Sequence, residues 1–99
     1  MILMICTPIK STYNDSIKQL NKYKELSEQL QKEGHKVLET DFIPLSSKNA
    51  EDLYYLAKIV DAIGKVDGLV FMPGWEDDKV CKIEHYIAKE YEKFIKEVK

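Results

Sequence analysis

The chain has 99 residues, enough for one domain with a modest core, because a chain of this size buries only about two-thirds of its unfolded surface. Hydrophobic residues make up 44% and charged residues 32%, with a net charge of -2, which fits a soluble globular protein and argues against a nucleic-acid-binding surface. All 15 basic residues are lysines, so the bidentate arginine clamp on phosphate is missing, and a phosphate would need lysine, hydroxyls or the N–H groups of a helix start.

Ile2 to Cys6 is an unbroken apolar run stopped by Thr7-Pro8, which predicts a strand buried on both faces. The opening MILMIC is too short to span a membrane and lacks a basic leader or cleavage pattern. Cys6 and Cys81 form neither a metal-ligand spacing nor a disulfide framework, so a reducing, cytoplasmic protein is expected. A polar loop, Ile9 to Asn14, leads to a helix with Ile17, Leu20, Tyr23, Leu26 and Leu30 at helical spacing, stopped by Gly34. Lys36 to Thr40 reads as a second strand, and Asp41 to Lys48 as a loop with Pro44, Ser46 and Ser47. A second helix is expected from about Asn49 to Ile63, with Leu53, Leu56, Ala57, Val60 and Ile63 as its apolar stripe. Gly68 to Met72 is a third strand, closed by Pro73-Gly74-Trp75, and a third helix runs from about Asp77 to Tyr91. Phe94 to Val98 fits either a short strand or more helix.

This βαβαβα order, with room for one more strand, predicts an α/β fold: a Rossmann- or flavodoxin-like three-layer sandwich, with a parallel sheet of about four strands and helices on both faces. Ligands of such sheets bind beyond the carboxyl ends of the strands, which points to the loops at Thr7–Asn14, Thr40–Ser47 and Pro73–Asp78.

Glu84 stands out on the third helix. At about 100° per residue, Val80, Ile87, Ala88 and Tyr91 all fall within about 60° of it, while Lys82, Lys89 and Glu90 point away. A carboxylate in the middle of an apolar stripe needs a partner or a purpose. It is either a nucleophile or general base lining a crevice, or a hydrogen-bonded or interface carboxylate. His85 falls at the edge of the stripe, where a surface position is the simpler expectation. No metal or other cofactor is expected, since two histidines and two cysteines show no chelating arrangement.

The stretch Val66 to Ala88, VDGLVFMPGWEDDKVCKIEHYIA, resembles the signature of a nucleoside 2-deoxyribosyltransferase-like family, in its small DUF4406-type members. Asp67, Pro73-Gly74-Trp75-Glu76, Glu84 and Ala88 match that pattern, as do Cys6-Thr7-Pro8 after the first strand and Gly34-His35 with Val37 before the second. The resemblance implies that Glu84 is a nucleophile. It would attack the anomeric carbon of a nucleoside- or nucleotide-like compound and form a glycosyl ester, as in retaining glycosidases. It places Thr7, Pro8, Tyr13, Gly74, Trp75 and Asp78 around the ligand, and implies a homo-oligomer, with no nucleic-acid polymer or membrane as partner.

Three positions depart from the pattern. Lys58 and Ile59 stand where active relatives carry an arginine and an acid, and Asp61 is about 160° around the helix from Ile59. Asp78-Lys79-Val80-Cys81 replaces Ser-x-Gly-Ala, and Asp78, a good helix cap, would repel a phosphate. Thr7 replaces a glycine. The departures leave three expectations open: an N-glycosidase or deoxyribosyltransferase of reduced activity, a non-catalytic binder of a nucleotide-like molecule, or a scaffold protein with a vestigial site.

Overall fold

A computed structural model of the protein describes residues 1–8, 13–38 and 53–98. Four strands form one all-parallel sheet, β1 (Ile2–Cys6), β2 (Lys36–Val37), β3 (Gly68–Phe71) and β4 (Phe94–Glu97), in the order β2-β1-β3-β4. Helix α1 (Tyr13–Lys32) covers one face, and α2 (Leu53–Ile63) and α3 (Lys79–Glu90) cover the other. This is the three-layer α/β sandwich expected of alternating strands and helices. No described helix is long and apolar enough to cross a membrane.

Side-chain alternation along the strands sorts the core into two layers. Leu3, Ile5, Val70 and Met72 pack with Leu30, Tyr23 and Leu26 of α1. Met4, Cys6, Leu69 and Phe71 pack with Ile59, Ala62 and Ile63 of α2 and with Val80, Cys81 and Ala88 of α3. Asp67 ties the amino ends of the two central strands together. Its carboxylate accepts the Ile2 N–H at 2.7 Å, and its own N–H donates to the Ile2 carbonyl at 2.7 Å. This residue sits at the opposite end of the sheet from the carboxyl-end loops.

Several expected boundaries shift. Tyr13 and Asn14 belong to α1 rather than to the loop before it, with Asp15 in the first turn, where a carboxylate favours the helix dipole. The inward stripe of α1 is Gln19, Tyr23, Leu26, Ser27 and Leu30, and Ile17 and Leu20 are exposed. They lie about 140° and 80° around the helix from Leu30, beyond the face the sheet can cover. On α2 the buried stripe is Ile59, Ala62 and Ile63. Leu53 is 76% exposed and Val60 also faces out, because a helix this apolar has two candidate faces and the sheet selects one. Gly34, at φ +94°, turns the chain out of α1 so that the His35 N–H donates to the Leu30 carbonyl at 3.0 Å. β2 is shorter than expected, although the Leu38 N–H still donates to Leu3 at 2.8 Å; Thr40, the loop Asp41 to Lys48 and the helix start at Asn49 lie outside the described residues.

The third helix also differs from expectation. Trp75–Asp77 form a separate 3-10 turn, and α3 begins only after Asp78. It ends before Tyr91, which is 75% exposed instead of joining the apolar stripe, and Glu92 at φ 56° breaks the helix. The tail is a strand: β4 pairs with β3 from Gly68↔Phe94 to Phe71↔Glu97.

Gly68 makes that last pairing possible. A Cβ at this position would meet the Phe94 carbonyl oxygen and Cβ at 2.8 Å. Gly68→Ala is therefore expected to force β4 outward and cost about 1–3 kcal/mol, read as a lower denaturant midpoint.

Candidate functional site

The strand order places the topological switch point between β1 and β3, since the connection leaving β1 runs to one side of the sheet and that leaving β3 to the other. The chain is tightly turned there. The Met72 N–H donates to the Cys6 carbonyl at 3.1 Å, and the Thr7 hydroxyl reaches toward the Met72 sulfur at 3.5 Å. Gly74 adopts φ +92°, a left-handed conformation suited to glycine, and lets the Trp75 N–H return to the Met72 carbonyl at 3.3 Å. Asp78 then caps α3: its Oδ2 accepts the Cys81 N–H at 2.9 Å. The anion position at this helix start is thus held by the protein's own carboxylate.

The last row of the sheet on the α2–α3 side is Cys6, Phe71 and Glu97, one residue from each of β1, β3 and β4 in direct register. Two consecutive residues of α3 meet this row. Glu84 meets Cys6, whose thiol hydrogen-bonds the carboxylate; His85 meets Phe71 and Glu97. Glu84 is 4% exposed, and its Oε2 has no hydrogen-bond partner among the described residues. Burial raises its pKa from the ordinary 4.5 to about 7, against the lowering effect of the Cys6 hydrogen bond, with a smaller upward push from Asp78. Burial also pushes the thiols of Cys6 and Cys81 up, and the Glu84 charge adds to both. Neither cysteine is a ready thiolate.

His85 lies inside an aromatic group. Its ring stacks on the Trp75 indole, with centroids 4.2 Å apart and planes 11° apart, and Phe71 presents to it at 5.0 Å. Phe71 and Trp75 are 5.3 Å apart. The imidazole Nε2 is 3.6 Å from Glu97, a loose ion-pair distance, and makes no hydrogen bond among the described residues.

Of the residues expected at the site, Thr7, Pro8, Gly74, Trp75, Asp78 and Glu84 all occupy the carboxyl end of the sheet. Tyr13 begins α1, and its side chain lies outside the described residues. Ile59, one of the positions that depart from the expected pattern, is 7% exposed in the same core cluster as Cys6 and Phe71. Asp61 is at the surface, paired with Lys65 at 3.0 Å. Cys6, Glu97 and the inward placement of His85 were not foreseen. Only the register between strands brings Cys6 and Glu97 into one row, and a single sequence does not disclose register. Among the described residues, no group of three or more His, Cys, Asp or Glu could hold a metal ion.

Fold and site together define a small parallel α/β domain with a buried, incompletely partnered carboxylate at its switch point. The chain belongs to a family described as Domain of unknown function (DUF4406), whose model matches residues 5–97. Comparison with the curated proteins found no match, and comparison with the solved structures found none.

The Glu84 carboxyl gives the fold a signed pH dependence. Its native pKa, about 7, lies above its ordinary 4.5, so between these values the native chain holds the proton more tightly and stability falls as pH rises. Above pH 7 the buried charge costs on the order of 3 kcal/mol. Glu84→Gln, which keeps the shape and removes the charge, is expected to raise Tm by several degrees at pH 8 and to leave it nearly unchanged at pH 4.5. Calorimetry at the two pH values reads the difference.

Proposed function

We propose that the protein cleaves or exchanges the N-glycosidic bond of a nucleoside- or nucleotide-like compound, as a hydrolase or deoxyribosyltransferase, with Glu84 as nucleophile. The observation that carries this reading is the carboxylate itself: buried at the switch point, hydrogen-bonded to the Cys6 thiol, with Oε2 left without a partner among the described residues. A buried acid with an unused oxygen destabilises the fold, and sites of reaction are where such a cost is retained. The resemblance of Pro73-Gly74-Trp75-Glu76 and Glu84 to the deoxyribosyltransferase pattern supports the same chemistry.

In this reading the ionised Glu84 attacks the anomeric carbon with Oε2. The carbon–nitrogen bond breaks, its electron pair leaves with the base, and the base takes a proton from solvent. Water or a second base then attacks the glycosyl ester, loses a proton, and restores the carboxylate. Trp75 and Gly74 flank the ligand on one side, Thr7 and Pro8 on the other. Asp78 fills the helix start, which favours a substrate that brings no phosphate to that point. The reading also expects a homo-oligomer in a reducing cytoplasm, where Cys6 and Cys81 remain thiols.

One observation favours a second reading, a non-catalytic binder of the same ligand class. Ile59 is packed in the core, so the described part of α2 offers Glu84 no supporting acid.

Incubation with a panel of nucleosides, nucleotides and NAD-type compounds separates the readings. The enzyme releases free base, and Glu84→Gln lowers kcat/KM by about a thousandfold or more. Since the attacking carboxylate must be ionised, kcat/KM is expected to climb as pH rises through about 7 and then level off. A binder instead gains thermal stability from a ligand without turnover. A scaffold does neither and tolerates Glu84→Ala.

A further inference from the structure

Trp75 is the only tryptophan in the chain, and it stands just past the carboxyl end of β3 with one face taken by the imidazole of His85, the residue after Glu84. Nearly parallel stacking at 4.2 Å is too specific to be filler: an aliphatic side chain would pack there without fixing the indole plane. The imidazole is itself held in place. Phe71 meets its ring from β3, and Glu97 faces its Nε2 from β4. Glu97 can do this because β4 pairs in register with β3, and residue alternation turns it to the α3 side and Lys96 to the α1 side. We propose that His85 is a positioning residue of this site: packed on Phe71 and facing Glu97, it fixes the Trp75 indole as a rigid wall at the carboxyl end of the sheet, and a proton on the imidazole tightens the stack.

The proposal rests on the reading of the site given above, but its physics can be tested without a substrate. A neutral imidazole stacks on indole through dispersion alone. A protonated one adds cation–π attraction to Trp75 and a charge-assisted contact to Glu97. The other groups around His85 are few. β3 contributes Phe71, without charge, and the 3-10 turn contributes Trp75, with Glu76 and Asp77 exposed on its outer side. Along α3 its neighbours at helical spacing are Cys81, buried, and Lys82 and Lys89, exposed; Glu84 precedes it and meets Cys6 instead. Among the described residues, Glu97 is therefore the carboxylate in contact with the ring.

The test uses the full chain with Glu84→Gln, which removes the neighbouring titration, and reads the emission of Trp75. A stacked imidazolium quenches indole, so emission is expected to fall in one step on acidification. Adding His85→Phe, which keeps the aromatic packing, should abolish the step; adding Glu97→Gln, which removes the carboxylate facing Nε2, should reduce its amplitude. A flat emission profile, or a step that survives His85→Phe, overturns the proposal. With Glu84 intact, His85→Ala should raise KM about tenfold, the loss of one aromatic contact, while kcat changes little. A fall in kcat with KM unchanged would instead make His85 part of the chemistry and also overturn a positioning role. If the quenching step appears as expected but no compound releases base, the function proposed above fails and the His85 assignment stands.

Discussion

The seating of α3 across the last row of the sheet governs the rest of the structure. Cys6, Phe71 and Glu97 are brought level by parallel pairing across three strands, and Glu84 and His85, adjacent on one helix, engage that row side by side. One residue of slip in any strand would turn its contribution to the opposite face. The devices elsewhere in the fold serve this alignment. Asp67 clamps β1 to β3 at their amino ends, Gly68 lets β4 approach, and Asp78 starts α3 at the turn that places Glu84 over Cys6.

The energetics of the row are uneven. Its apolar members lie in a dry core that stabilises the domain in the ordinary way. Glu84 works against that core, because the burial that protects Phe71 and Cys81 also withholds water from a carboxylate. The Cys6 thiol is a weak donor and offsets only part of the loss. A leucine would fill the same space without that cost, so the packing of the domain does not account for an acid here.

Much of this was legible in the amino-acid order, because strongly periodic segments announce themselves. The two apolar runs, Ile2–Cys6 and Gly68–Met72, specify buried parallel strands, and the place of Glu84 in the stripe of its helix follows from angular spacing alone. Where two faces of a helix are equally apolar, spacing gives no decision: α2 buries Ile59 and Ala62 in place of Leu53 and Val60 because the sheet chose for it. Short segments are ambiguous for a related reason. Five residues, Phe94 to Val98, fit strand or helix until a neighbouring backbone offers hydrogen bonds. His85 looked like a surface residue because its partners, Trp75 and Glu97, come from outside its own helix.

The strand order carries a consequence for how the domain comes together. β1 sits in the interior of the sheet, flanked by β2 and β3, and none of its pairings closes through a hairpin. Every pairing spans an intervening helix, a high contact order that makes folding slow relative to helical domains of similar length. The row that holds Glu84 needs β1, β3, β4 and α3 all at once. The geometry around Glu84 thus has no local precursor: it exists in the fully closed domain or not at all, and a ligand that depends on it would report the integrity of the whole fold.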